Sequence, residues 1–217
     1  MIHPDTELAR VDEHVGLGVF ATKRIPRGTI TYVCDALEVL IASNDKRLRD
    51  PLLNGQIEKY SYTDAAGTRV LSWDHAKYVN HCCACNTMST GYGFEIAIRD
   101  IEAGEEITDE YGMFNLDIPM ACQCQKSGCR GQVKKDDLLH NFQPWDEIVR
   151  AAIAEIPNVA QPLRALLEEH TEQGLSTYLR TGDDYRSVIE LLRHDEGGSI
   201  YRTRKTASGR RSSLRSR

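Results

Sequence analysis

Short apolar runs separated by turn residues occupy the first half of the chain. Apolar runs at residues 19–21, 30–33 and 37–41 alternate with turns that contain glycine or proline, among them Gly16 and Gly18. This alternation predicts strands joined by tight turns.

The next part of the chain continues as short elements. Residues 42–57 are polar and are interrupted by a proline and a glycine, which predicts a loop. Residues 58–63 and 69–73 predict short strands, and the alternating segment GFEIAIRD, residues 93–100, predicts a longer one. Up to residue 121 we therefore expect a mainly β structure.

Helical spacing appears in the second half. The segment WDEIVRAAIAEI, residues 145–156, repeats its apolar positions at intervals of three and four, which predicts a helix. Further helices are predicted for 162–170, 175–180 and 183–194. Residues 198–217 are basic and contain few large apolar side chains, which predicts a disordered tail.

Charge is distributed unevenly along the 217 residues. The net charge is −5, but residues 201–217 carry seven basic side chains and no acidic one. The first 200 residues therefore hold 20 basic and 32 acidic groups, a net charge of −12. An acidic body attracts cationic partners and argues against a nucleic-acid groove as the main site, so any nucleic-acid contact is expected to be indirect or through the tail. Solubility alone would also explain this charge.

The sequence predicts an intracellular protein. It contains no apolar run near the roughly 20 residues that span a bilayer, and MIHPDTELAR lacks the apolar stretch of a signal peptide. We expect a cytoplasmic or a nuclear, chromatin-associated location and no membrane partner. The oligomeric state stays open.

Six of the seven cysteines form two clusters. Cys122, Cys124 and Cys129 form a C-x-C-x4-C pattern in a segment with almost nothing apolar to bury, so packing alone would not hold it. Three thiolates are one short of a tetrahedral zinc site, and the cluster at residues 82–85 can supply the fourth. Buried or redox-active thiols are the alternative, and Cys34 reads as a core residue.

Several short motifs are informative because of the order in which they occur along the chain. GLGVFA, KYSY, YVNHCCACN, IAIRDIEAGEEITDEYG and CQCQKSGCRG follow one another over residues 14–133. Each is weak alone, because an Asn-His pair in a loop is usually a turn and a tyrosine after a strand is usually packing. Together the series resembles the SET family of protein-lysine methyltransferases, followed by its cysteine-rich post-SET segment.

The resemblance implies a methyl donor, S-adenosylmethionine, and a structural zinc ion. The cofactor-binding residues would be Gly16, Leu17, Gly18, Asn80, His81 and Tyr111. The zinc ligands would be Cys83, Cys122, Cys124 and Cys129. Cys82 and Cys85 stand where the family has serine and proline, and the consequence of those changes is open.

The resemblance also implies two catalytic tyrosines. Tyr111 matches the active-site tyrosine of the family, and Tyr60 matches a tyrosine that lines the lysine channel. Asp109 replaces an aromatic residue that influences how many methyl groups are added. Its carboxylate would hold water, pair with the substrate ammonium or face away, so the degree of methylation stays open.

The implied fold is mainly β, with short curled sheets around a threaded pseudoknot, a zinc-binding post-SET segment and an α-helical C-terminal extension. The expected limits are a SET catalytic domain at 1–121, a post-SET segment at 122–133, a helical extension at 134–197 and a tail at 198–217.

The implied function is methyl transfer from S-adenosylmethionine to a lysine of a basic protein, such as a histone tail or a ribosomal or other cytosolic protein. The alternative is a zinc-stabilised module that binds basic peptides without methylating them. Lys205, the only lysine of the tail, raises the further hypothesis that the tail occupies the substrate groove.

Overall fold

The computed structural model describes residues 1–193, so the predicted tail and Lys205 lie outside the described residues. Twelve short strands form within that range. They are β1 (Thr6–Arg10), β2 (Leu17–Ala21), β3 (Ile30–Val33), β4 (Val39–Ile41), β5 (Ser61–Thr63), β6 (Arg69–Leu71), β7 (Asn80–His81), β8 (Thr87–Ser89), β9 (Phe94–Ala97), β10 (Glu106–Asp109), β11 (Met120–Ala121) and β12 (Gln132–Val133). The mainly β fold predicted from the sequence is confirmed.

The strands form four small sheets, with orders β1-β2-β10-β7, β3-β9-β8, β4-β6-β5 and β11-β12. Most neighbours are antiparallel, but β7 and β10 pair in parallel, with Asn80 opposite Thr108 and His81 opposite Asp109. The side chain of Asn86 fixes the same region, because it donates to the Glu106 carbonyl oxygen at 2.8 Å and accepts from the Thr108 amide at 2.8 Å. The chain that leads into Tyr111 is therefore held against the Asn80-His81 segment.

Three helices complete the described chain: α1 (Pro51–Tyr60), α2 (Asp137–Ile153) and α3 (Glu169–Thr181). Within residues 1–193, none of them has both the length and the apolar character required to span a bilayer. Trp145, Val149 and Ile153 of α2 pack with Phe94 and Ile96 of β9 in the larger hydrophobic core. The C-terminal helices are thus part of the core that supports the central strands.

Helix α1 corrects the prediction for residues 42–63. This segment was predicted as a loop followed by a strand at 58–63, but residues 51–60 are helical and only Ser61–Thr63 form a strand. Asp50 caps the helix by accepting from the amides of Leu52 and Leu53. A proline is tolerated in the first helical turn because its missing N–H would have no partner there.

Two of the four predicted C-terminal helices, at 145–156 and 175–180, form with different limits, whereas those at 162–170 and 183–194 do not. The helix predicted at 145–156 begins earlier, at Asp137, and ends at Ile153. The segment 175–180 lies inside α3, whereas 162–170 contains a 3-10 turn at Arg164–Leu166 before α3 begins.

The helix predicted at 183–194 is absent from the described residues, where only a 3-10 turn at Val188–Leu191 forms. Asp146 of α2 accepts hydrogen bonds from the Tyr185 hydroxyl at 2.8 Å, the Ser187 hydroxyl at 2.6 Å and the Val188 amide at 2.9 Å. These contacts hold the segment in a non-helical path across α2.

Candidate functional site

The glycine turn brings β2 close to three other segments. Gly16 has a φ of +88°, a conformation that favours glycine. A Cβ atom on Gly18 would lie 2.5 Å from Oε1 of Glu106, 2.6 Å from Val11 and 3.0 Å from Nδ2 of Asn80. Gly18 therefore allows an approach that no larger residue permits.

Asn80 joins this turn to the central strands. Its Nδ2 donates to the Leu17 carbonyl oxygen at 3.0 Å and to Oε1 of Glu106 at 2.8 Å. Asn80 is half-buried and Leu17 is 41% exposed. The structure thus brings Gly16, Leu17, Gly18 and Asn80 together and leaves the apolar side chain of Leu17 accessible to a ligand.

His81 lies between Asn80 and Tyr111. Its Nδ1 is 3.0 Å from the Asp109 carbonyl oxygen and 3.3 Å from the Tyr111 amide nitrogen. Burial lowers the pKa of His81, which favours the neutral ring. The ring centroids of His81 and Tyr111 are 5.5 Å apart, so His81 helps to fix the position of Tyr111.

A cavity of about 360 Å³ is lined by both predicted tyrosines, Tyr60 and Tyr111. The Tyr111 hydroxyl donates to the Val79 carbonyl oxygen at 2.5 Å, one residue before Asn80. Burial raises the pKa of Tyr111 well above its ordinary range, so its hydroxyl stays protonated. Tyr60 ends α1 and makes an edge contact with Tyr78, with ring centroids 5.4 Å apart.

Two carboxyl groups line the same cavity: Asp109, which the sequence singled out, and Glu95 of β9, which it did not. Burial raises the pKa of Asp109 to about 6 and raises the pKa of Glu95 well above its ordinary range. One signal pointed to Glu95, because it is the single charged residue within the apolar run FEIAI.

The predicted zinc ligands also lie together. The sulfur atoms of Cys83, Cys122, Cys124 and Cys129 all lie within 4.8 Å of one another, and those of Cys83 and Cys122 are 3.6 Å apart. Tetrahedral Zn–S bonds of about 2.3 Å place sulfur atoms about 3.8 Å apart, so this set fits zinc. Amides of the same segment donate to it, from Arg130 to Cys83 and from Gly131 to Cys129, both at 3.4 Å.

The remaining cysteines lie outside this set. Cys82 and Cys85 are buried, with 5% and 6% exposure, and Cys85 packs in the larger core. Burial raises the pKa of Cys34 to about 12, which keeps it a thiol. Their environments favour packing over metal binding.

Comparison with known proteins gives one match in sequence. The SET domain family profile matches residues 16–112, a span that contains the glycine turn, the Asn80-His81 pair and Tyr111. Curated protein sequences give no match to the chain.

Solved structures are similar in part of the chain. A Plasmodium falciparum protein described as a candidate histone methyltransferase is 19% identical, with a TM-score of 0.37, over 51% of this chain and 95% of that one. KRYPTONITE in complex with mCHG DNA and SAH is 19% identical, with a TM-score of 0.44, over 59% of this chain and 29% of that one. KRYPTONITE with mCHH DNA, an H3(1-15) peptide and SAH is 18% identical, with a TM-score of 0.45, over 61% of this chain and 30% of that one. The chain thus spans about 30% of the length of those KRYPTONITE chains.

The profile match agrees with the structure around it. The matched residues form short sheets, a cysteine set that fits zinc follows them, and helices complete the described chain. Residues 16–112 therefore match the SET domain family in sequence, and the fold of this part of the chain agrees with that match.

Proposed function

We propose that this protein is an S-adenosylmethionine-dependent methyltransferase that acts on a lysine side chain of a basic protein or peptide. The observation that carries the proposal is the cavity between Tyr60 and Tyr111, because the Tyr111 hydroxyl bonds to Val79, the residue before Asn80 and His81. A lysine that enters this cavity would approach the residues expected to hold the methyl donor.

In this proposal the donor is held by the glycine turn and the adjacent strand. Backbone groups of residues 16–18 and the side chains of Asn80 and His81 would bind it, with Tyr111 at the reacting end. S-adenosylmethionine, when bound, supplies an activated methyl group on a sulfonium ion. The amide oxygen of Asn80 is an acceptor that suits an ammonium group of such a ligand.

The cavity would also prepare the substrate amine. Lysine has a pKa near 10.4, so at pH 7 about one molecule in 2,500 is neutral, a deficit of about 4.6 kcal/mol. Burial between aromatic rings penalises the ammonium and, taken alone, lowers that pKa, whereas an ionised carboxylate beside the ammonium would raise it. The rings of Tyr60 and Tyr111 can contact the ammonium before its proton leaves, and their hydroxyls can orient the amine.

The cysteine set would hold a structural zinc ion. Four thiolates fill a tetrahedral shell and leave no position for a substrate, so zinc would stabilise the segment without taking part in the chemistry. Within this proposal residues 1–121 form the catalytic domain, 122–133 the zinc segment and 134–197 the helical extension. A histone tail in the nucleus and a basic cytosolic protein are both suitable substrates for an acidic body.

A methylation assay tests the proposal. The full chain, prepared without chelator, is incubated with S-adenosylmethionine and a panel of basic peptides, and the products are identified by mass spectrometry. We expect methylated lysine with the wild type and a loss of about 100-fold or more in kcat for Tyr111→Phe. Tyr178→Phe removes a hydroxyl from α3, outside the cavity, and should keep full activity. Equal labelling by wild type and Tyr111→Phe would contradict the assignment, and calorimetry that detects no cofactor binding would leave only a peptide-binding module.

A further inference from the structure

Glu95 and Asp109 form a carboxyl pair at the cavity, in which Asp109 is buried and Glu95 is half-buried. They come from different strands, β9 and β10, and both line the cavity beside Tyr111. Asp109 is 1% exposed. Its Oδ1 accepts a hydrogen bond from the Glu110 amide at 2.6 Å. Its Oδ2 makes no hydrogen bond of acceptable geometry to residues 1–193. The Glu95 carboxyl nevertheless lies close to the Asp109 side chain.

The described chain provides no cation for this pair. Neither carboxyl takes part in a salt bridge within residues 1–193, and the positive group that acts on Glu95 is the amino group of Met1, which pairs with Asp35 and Glu38. Burying a carboxylate without a partner is costly. A cation that enters the cavity would therefore gain strongly from this position.

We propose that Glu95 and Asp109 bind the ammonium group of the substrate lysine and accept its proton before methyl transfer, an inference that rests on the proposed function. One N–H bond of the ammonium breaks, its electron pair stays on nitrogen, and the proton joins a carboxylate oxygen of Asp109. The neutral amine is then free to attack, and the pair releases its proton to water after the product leaves.

The charge state of the pair suits this role. Burial raises the pKa of both Glu95 and Asp109, and two adjacent carboxylates resist being ionised together, so the pair keeps one proton at neutral pH and retains one carboxylate that can accept another. A carboxylate with a pKa near 6 is a better proton acceptor than an ordinary aspartate, and it is still ionised at pH 7. Adjacent carboxyl groups generally share one proton, because two neighbouring negative charges repel each other.

Other titratable groups face the pair from its surroundings. Glu38 raises the pKa of Glu95 and Glu110 raises that of Asp109, whereas the Met1 amino group lowers that of Glu95. Tyr32 and Tyr111 also line the cavity and stay protonated, because burial raises the pKa of each. The charged side chains farther along the cavity lining are Glu58, Lys59, Arg69, Lys77 and Asp117.

Peptide binding without the methyl donor tests the first half of the proposal. The zinc-loaded full chain is titrated calorimetrically with a basic peptide that the wild type methylates. If it methylates none, a histone-type basic peptide is used. The comparison ligand is the same peptide with norleucine in place of the lysine. At pH 7.5 we expect the lysine peptide to bind about tenfold or more tightly than the norleucine peptide, since hydrogen bonds to charged groups are strong. That preference should fall as pH decreases through about 6, where Asp109 becomes protonated.

Two isosteric variants and one control define the outcome. Asp109→Asn and Glu95→Gln should each reduce the lysine preference at least severalfold, whereas Glu147→Gln removes a negative charge from the exposed face of α2, outside the cavity, and should keep it. Thermal unfolding verifies that the variants are folded, and either variant suffices if the other fails to fold. A preference that is unchanged in both variants, or that does not depend on pH, would overturn the proposal.

Kinetics test the proton transfer. Asp109→Asn should lower kcat at pH 7 and move the pH-rate profile to higher pH, because the amine must then lose its proton to water. A higher kcat in Asp109→Asn would mean that the carboxylate only stabilises the ammonium, and would refute the proton-acceptor role. If the wild type methylates no peptide, the proposed function is wrong, but the binding preference still tests whether the carboxyl pair binds a lysine ammonium. If the wild type methylates a peptide and both variants behave like it, only the role proposed for Glu95 and Asp109 is wrong.

Discussion

Gly18 lies where four segments meet without room for a side chain. An added Cβ would approach Glu106 at 2.5 Å and Val11 at 2.6 Å. We expect Gly18→Ala to reduce the free energy of unfolding by about 1–3 kcal/mol, because a methyl group must displace packed neighbours. Urea-induced unfolding measures the change.

Gly55 provides the matched control. It lies in helix α1, and apart from its chain neighbours and the backbone of its own helix no heavy atom of residues 1–193 lies within 4 Å of its Cβ position. Gly55→Ala should stabilise the protein by about 0.5–1 kcal/mol, because alanine loses less conformational entropy in a helix. If Gly18→Ala is as harmless as Gly55→Ala, the contacts among Gly18, Asn80 and Glu106 are looser than described.

At the scale of single residues, sequence patterns predicted the motif residues of the candidate site but did not predict that Glu95 lines the cavity. Asn80, His81 and Tyr111 stand in recognisable local contexts, and the structure brings them together. Glu95 has no motif around it, because alternation along β9 assigns its side chain to the face opposite Phe94 and Ile96. That this face borders a cavity depends on β10 and on the loop after it, which only the assembled fold reveals.

Among the elements, the cysteine segment has little packing of its own, since residues 122–131 are all exposed or half-buried. Its ladder consists of two residue pairs, Met120 with Val133 and Ala121 with Gln132, so metal coordination would supply most of its stability. We expect Cys124→Ser to lower the zinc content well below one ion per chain. Trypsin cleavage after Lys126 and Arg130 should accelerate about tenfold or more, since cleavage follows local opening.

Cys34→Ser is the control for this change, because Cys34 is not part of the ligand set. It should keep its zinc and the slow cleavage of the wild type. Metal analysis together with mass spectrometry of the tryptic fragments measures both quantities. A Cys124→Ser protein that keeps a full zinc ion would show that the four sulfurs are not the ligands.

The predictions for helix α1 and for the segment 183–194 failed for different physical reasons. Helix α1 was hidden because Pro51 and Gly55 are usually helix breakers, yet Pro51 occupies the first turn after the Asp50 cap, where proline is compatible with a helix. The segment 183–194 has helical periodicity, but Asp146 binds Tyr185 and Ser187 and holds a different path. Local signals explain the first case, whereas the second depends on a contact with α2.

The whole molecule combines an acidic body with a proposed cationic substrate. The first 200 residues carry a net charge of −12, and such a field raises the local concentration of basic peptides and speeds their association. Pairwise contacts in the cavity act over a few ångströms, whereas this attraction acts over the Debye length. The two contributions therefore differ in their response to salt.

Raising the ionic strength from about 0.05 M to about 0.5 M shortens the Debye length from about 14 Å to about 4 Å. We expect KM for a basic peptide to rise about tenfold over this range, while kcat changes little, because the buried groups around the amine are screened less. A peptide with the same target lysine but glutamine at its flanking basic positions should have a high KM that barely depends on salt. Steady-state assays measure KM for both peptides over this range of salt. A parallel rise in KM for the two peptides would mean that salt acts on the fold or on cofactor binding, and that the acidic body does not attract the substrate.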